Sequence, residues 1–167
     1  IQGDGYEVEL RFALEHRYFD VARRWFDQGD GEGPEEAVVQ YCDHDDMRCV
    51  NGKWENKRTL DCARVRVMGE LRAKISISKE VPAIEPSDVR MYNLVRHRKR
   101  WSYTVGNWRV DWTTAADYCN VEIEWLGSEP SLLCQDPQMD NLREPLMRLL
   151  PCICLLYTSD AADECLC

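Results

Sequence analysis

The sequence predicts a mainly β (α+β) chain: a closed antiparallel β-barrel with a charged interior, flanked by a few helices. Three observations carry this. Five segments alternate apolar and charged residues with the period of two that a strand imposes. Within each segment the charged face is nearly uniform in sign. The opposite faces hold large apolar residues that must be covered, and two helical segments are available to cover them. A sandwich of amphipathic strands with solvated charged faces satisfies the same alternation, and periodicity alone does not choose between the two.

The elements follow in chain order. Tyr6 to Phe12 alternates, with Glu7 and Glu9 on one face and Tyr6, Val8 and Leu10 on the other. His16 to Asp27 places Tyr18, Val21, Ala22, Trp25 and Phe26 at helical spacing, and Gly29 follows as a stop. Residues 28–37 read as a loop by composition. Val38 to Tyr41 is a short strand, and Asn51-Gly52 is a hairpin turn signal between 38–50 and 53–60. Strands then dominate: 62–67, 72–78, 94–105, 108–114 and 120–125, with Gly106-Asn107 as a turn between two of them. Asn141 to Leu150 reads as a helix with Pro145 inside it, which implies a kink.

The alternating faces are the informative feature. Lys74, Ser76 and Ser78 share a face, as do Arg96, Arg98, Arg100 and Ser102. Arg109, Asp111 and Thr113 lie opposite Trp108, Val110 and Trp112, and Glu122 and Glu124 lie opposite Val121, Ile123 and Trp125.

The chain has 167 residues, a formal net charge of −9 and nine cysteines. That length fits one domain, and the apolar content suffices for a core. No apolar run approaches the roughly 18–20 residues of a membrane span, so no membrane partner is expected. The chain begins at Ile1 and reads as a fragment. The string from Cys154 to Glu164 resembles the translation of a transposase sequencing adapter. Residues 1–153 are therefore taken as the domain and 154–167 as a read-through tail.

A total of −9 argues at face value against a nucleic-acid partner. The distribution argues differently. Residues 1–47 hold four basic against 13 acidic residues, 48–109 hold 15 against six, and 110–153 hold two against eight. A basic middle lies between acidic flanks. Six cysteines precede the tail, none in a CxxC pair, so zinc-ribbon spacing is absent and reduced core thiols are expected. No phosphate-loop or GxGxxG signature occurs.

Paired glutamates with clustered bases on one interior have a clear chemistry. Carboxylate clusters bind hard cations such as Mg2+ or Mn2+, and arginines bind phosphate oxygens. Tyr6-Glu-Val-Glu-Leu-Arg-Phe12, Ala73-Lys-Ile-Ser-Ile-Ser-Lys-Glu-Val-Pro82, Arg96-His-Arg-Lys-Arg-Trp-Ser-Tyr103, Trp108-Arg-Val-Asp-Trp-Thr113 and Val121-Glu-Ile-Glu-Trp125 occur in that order. Together they resemble the strand motifs of the metal-dependent mRNA 5′-triphosphatases of fungi, protists and some viruses. These have the triphosphate-tunnel metalloenzyme fold and carry out the first step of mRNA capping.

The resemblance implies residue roles. Glu7, Glu9 and Glu124 would ligate Mn2+ or Mg2+, and Glu122 would hold a water. Lys74, Ser76, Arg98, Arg100, Arg109 and Thr113 would contact phosphate. Asp111 would orient a basic neighbour or a water, and Arg100 joins Glu122 and Asp111 as catalytic. It implies 5′-triphosphate RNA as substrate and a guanylyltransferase as partner, separate or fused. It also implies a second copy of the chain as partner, and a location in the nucleus or at a site of viral transcription. Two departures stand out: Asn120 where a third alternating glutamate is usual, and Arg98 where Lys is usual. The alternatives are an inorganic triphosphatase, polyphosphatase or other nucleotide enzyme of the same fold, and an inactive module that binds RNA ends or phosphate. The Glu-x-Glu-x-Arg opening motivates the former, Asn120 the latter.

Other motifs read plainly. Asp43-His-Asp-Asp46 lacks the ligands and Gly of a calcium loop. Arg96-His-Arg-Lys-Arg100 matches a nuclear-localisation patch, but its alternation favours a strand. His16, His44 and His97 have no triad companions.

Overall fold

The computed structural model describes residues 5–29, 33–42, 46–69, 71–87, 90–127 and 142–154. Eight strands form a closed barrel: β1 (Tyr6–Leu14), β2 (Glu35–Cys42), β3 (Met47–Val50), β4 (Lys53–Met68), β5 (Leu71–Pro82), β6 (Met91–Val105), β7 (Trp108–Thr114) and β8 (Cys119–Trp125). Their order around the barrel is β1-β5-β4-β3-β2-β6-β7-β8, closing from β8 back to β1, and every pairing is antiparallel. Closure removes the sandwich alternative. A barrel of eight strands leaves an interior wide enough for side chains or one small ligand.

The core lies outside the barrel. Leu10, Phe12, Val110, Trp112, Val121 and Ile123 point outward and are sealed by two helices, α1 (His16–Asp27) and α2 (142–154). α1 buries Phe19, Ala22 and Phe26. Phe19 meets Trp112 edge-on at 5.9 Å, and Phe26 meets Tyr103 at 5.2 Å. The helix is rotated from the face expected above, so Val21 and Trp25 are exposed while Phe19 is buried. Arg23 and Arg148 explain how the rotated face closes: their guanidinium groups lie over the rings of Trp101 and Phe26.

Pro145 lies within the described helical residues 142–154. Helicity continues past residue 150 to Cys154, and Cys152 and Ile153 join the core. Residues 155–167 lie outside the described residues, as do Cys134 and the 43–45 stretch.

The strands are longer than the local pattern suggests. β2 starts at Glu35, inside the stretch read as loop, because Glu35, Glu36 and Ala37 pair with Arg100, Lys99 and Arg98. The segments 53–60 and 62–67 are one strand. Leu60 is skipped as Thr59 pairs with Ser78 and Asp61 with Ile77. This bulge resets which face points inward and merges two alternating runs of opposite phase. Asn51-Gly52 forms the β3–β4 turn, both residues at positive φ. Cys42, Cys49, Cys119 and Cys152 are buried and unbridged, but Cys62 is exposed on β4 rather than in the core.

Candidate active site in the barrel interior

The interior site begins with the register of β1 on its two neighbours. Glu9 stands opposite Glu124 of β8 and Ser76 of β5, and Arg11 stands opposite Glu122 and Lys74. β7 brings Arg109 opposite Glu124 and Asp111 opposite Glu122, and β6 brings Arg100 opposite Thr113. These residues alternate with outward apolar ones, so burying the core on the outside forces the charges inward. A cavity of about 510 Å³ results, lined by Glu7, Glu9, Glu122, Glu124, Arg98, Arg100, Arg109 and Thr113 among others.

The carboxylates are held by bases. Glu9 accepts from Arg11 at 2.9 Å and from the Ser76 hydroxyl at 3.0 Å. Arg11 also reaches Glu122 at 2.6 Å. Arg109 donates to Asp111 at 2.9 Å and to Glu124 at 2.6 Å. Asp111 is fully buried behind Arg109 and lies 3.6 Å from Arg100. Its place is that of a group that fixes two arginines. Arg100 also donates to Thr113 at 3.3 Å.

Two groups stand out electrostatically. Glu124 is pushed up to about 7, chiefly by burial, with Glu7 and Asp111 adding to the rise against Arg109 and Lys57. Arg98 is pulled down by burial and by the neighbouring Arg100. Its Nε is buried without a partner, and no carboxylate pairs with it among the described residues. The cavity therefore holds an uncompensated cation and a carboxylate short of positive charge.

A second cavity of about 440 Å³ shares Glu9, Arg11, Tyr41, Arg48 and Lys57 with the first, and Lys74, Ser76 and Ser78 line it. Lys74 and Ser76 thus open onto this second chamber, apart from the arginines of β6 and β7. The interior also contains residues that the sequence reading passed over. Lys57 of β4 lies 2.6 Å from Glu7, 3.8 Å from Glu9 and 3.7 Å from Glu80. Burial lowers the Lys57 ammonium, but Glu9 and Glu7 outweigh it and hold the group protonated. Arg48 of β3 pairs with Glu55 and, at 3.1 Å, with Glu80. The signal was present: Glu55 and Lys57 alternate, and Glu80 extends the Ser76-Ser78 face by one step.

Glu7, Glu9 and Glu124 offer hard oxygen donors on adjoining strands. That chemistry suits a hard divalent cation. Among the described residues, no three carboxylate, His or Cys groups converge to a metal-binding distance. Their oxygens turn to Lys57, Arg11 and Arg109 instead.

No protein-family model matches the chain, and no curated protein does. Solved structures do match. The Pct1 RNA triphosphatase of S. pombe in complex with the Spt5 CTD superposes with a TM-score of 0.64 at 15% identity, over 84% of this chain and 84% of that one. A second structure of the same enzyme gives a TM-score of 0.60 at 14% identity, over 98% of this chain and 85% of that one. The PH1012 protein of Pyrococcus horikoshii OT3 gives 0.50 at 16% identity, over 86% and 89%. With its closed eight-stranded barrel, the chain shares the fold of these structures.

Proposed function

We propose that this chain is a metal-dependent RNA 5′-triphosphatase that hydrolyses the β–γ phosphoanhydride of triphosphate-ended RNA, as in the first step of mRNA capping. One observation carries the reading: glutamates of β1 and β8 and arginines of the adjoining β6 and β7 line a single cavity, and among the described residues no acid pairs with Arg98 there. A buried unpaired guanidinium suits an anion that arrives with its own charge.

In this reading Arg98, Arg100 and Arg109 bind phosphate oxygens, with Thr113 donating a further hydrogen bond. Asp111 fixes Arg109 and Arg100 before substrate arrives, which lowers the cost of ordering them. Glu122 orients the attacking water and takes its proton. Water oxygen bonds to the γ-phosphorus as the bond to the bridging oxygen breaks, leaving a diphosphate end and inorganic phosphate. Glu7, Glu9 and Glu124 would hold Mn2+ or Mg2+, which supplies charge neutralisation at the γ-phosphoryl group. Lys74 and Ser76 serve the neighbouring chamber. A guanylyltransferase acting on the diphosphate end, a second copy of the chain and a nuclear or viral-transcription site complete the proposal.

A second reading has one observation of its own. The carboxylates are closed onto lysine and arginine, an arrangement that also suits a module binding phosphate without turnover. The test separates the two. Purified protein is incubated with γ-labelled triphosphate RNA and Mn2+ or Mg2+. Metal-dependent label release that Glu9→Ala abolishes is expected. Tight RNA-end binding with no release would favour the second reading and overturn the first.

A further inference from the structure

The β4–β5 hairpin outruns the barrel wall. β1 accompanies β5 only as far as Arg11↔Lys74, and β3 accompanies β4 only as far as Met47↔Asn56. Beyond these points the two strands pair with each other through Arg64↔Lys74, Val65↔Ala73 and Arg66↔Arg72. The faces differ. Ala73 is buried in the core, and Val65, Val67 and Leu71 pack against it. Arg64, Arg66, Arg72 and Lys74 take the alternate positions and are exposed.

Two rungs, Arg64↔Lys74 and Arg66↔Arg72, with one rung between them, therefore set cation against cation. Directly opposed like charges destabilise a sheet. Among the described residues, none of the four cations has an ion-pair or hydrogen-bond partner that would offset this. The row is also continuous with the interior. Lys74 lines the second cavity, together with the Asp46 carboxylate, and Arg11, level with Lys74, lines both cavities. In a chain of net charge −9, this is a basic track from solvent to the barrel mouth, and Asp46 and Glu9 are acids lining the cavity it leads into.

We propose that this hairpin face binds the sugar–phosphate backbone of single-stranded RNA and guides a 5′ end into the barrel through the mouth at Lys74. The assignment rests on reading the cavity as a triphosphate site. Alternate rungs, which share a face, are roughly 7 Å apart along a strand, and each of these two presents two cations. No aromatic side chain stands among the four, so the contacts fall on phosphates and carry no sequence preference.

The test compares the natural chain with the triple variant R64Q/R66Q/R72Q, which leaves every cavity residue in place. Inorganic tripolyphosphate and a short triphosphate-ended RNA serve as substrates. Turnover of tripolyphosphate should be unchanged. For RNA, KM should rise about tenfold, and the slope of log(kcat/KM) against log[salt] should become shallower by about 2 for three lost phosphate contacts. Unchanged RNA kinetics and salt slope would overturn the tract. If neither protein turns over any triphosphate, the enzymatic reading fails by itself. Anisotropy of a 5′-hydroxyl RNA then judges the tract: salt-sensitive binding weakened in the variant supports it, and equal or absent binding overturns it. An acidic phosphopeptide that outcompetes RNA of equal charge would also overturn it. The variant's thermal midpoint should hold or rise as like charges are removed, whereas a lower midpoint would reveal structural partners and count against the proposal.

Discussion

Lys57 Nζ lies 2.6 Å from Glu7 Oε2, joining β4 to β1 over the inner face of β5. The same ammonium is within 4 Å of Glu9 and Glu80, which also pair with Arg11 and Arg48, so Glu7 depends on it most. Removing it leaves buried negative charge without a partner, a change that costs about 3 kcal/mol in comparable settings. Lys57→Met should therefore destabilise the metal-free protein by about that amount in urea titrations. Added Mg2+ should recover part of the loss by supplying the missing charge. A variant as stable as the natural chain in chelator would show that the lysine holds nothing together.

Arg98 makes the opposite prediction. Burial and Arg100 both disfavour its charge, and no carboxylate pairs with it among the described residues. Arg98→Gln should leave stability unchanged or slightly higher. It should raise KM for a triphosphate substrate about a hundredfold, the worth of one or two charge-assisted hydrogen bonds to phosphate. Loss of stability with intact KM would reverse this assignment.

Glu124 sets a pH dependence. Its carboxyl is raised from 4.5 to about 7 in the folded protein. The folded chain then holds a proton that the unfolded chain has released, so stability falls as pH rises through this interval and levels off above 7. The penalty is absent below pH 4.5 and complete above 7. Glu124→Gln removes it. In chelator, the variant should gain about 1–2 kcal/mol on the natural chain between pH 5 and pH 8, allowing for partial solvent access. A stability difference that stays constant over that range would contradict the raised carboxyl.

Trp112 anchors the packing that turns the charges inward. It is fully buried and lies against Phe19 and Phe26 of α1. Trp112→Ala should cost about 3–5 kcal/mol and loosen α1 before the barrel itself opens. Thermal melts followed by circular dichroism measure the first effect, and amide exchange in α1 the second. Uniform exchange through helix and barrel would mean that the two unfold as one unit.

The elements themselves were largely legible in the chain. α1 and β7 match their expected bounds, and the alternation of Arg109, Asp111 and Thr113 against Trp108, Val110 and Trp112 survives intact. Where the reading missed, a long-range pairing had overridden a local signal. Glu35 and Glu36 look like loop residues until Arg100 and Lys99 stand opposite them. Leu60 breaks the period of two, and only the register against β5 reveals a bulge within one long strand. Val21 and Trp25 fit a helical stripe as well as Phe19 does. The choice between them belongs to Trp101 and Trp112, far along the chain.

The sequence by itself determined which residues share a face, because side-chain direction follows from a local period of two or 3.6. It could not say which face was inside, since an open sandwich and a closed barrel satisfy the same period. Closure of β8 onto β1 decided that, by hydrogen bonds between residues more than a hundred positions apart. Closure also selected the partners: Lys57 for Glu7, Arg11 for Glu122, no acid for Arg98 among the described residues, and Lys74 in the chamber beside the arginines of β6 and β7. Charge pairing depends on distance across the barrel, and only strand register and shear set that distance.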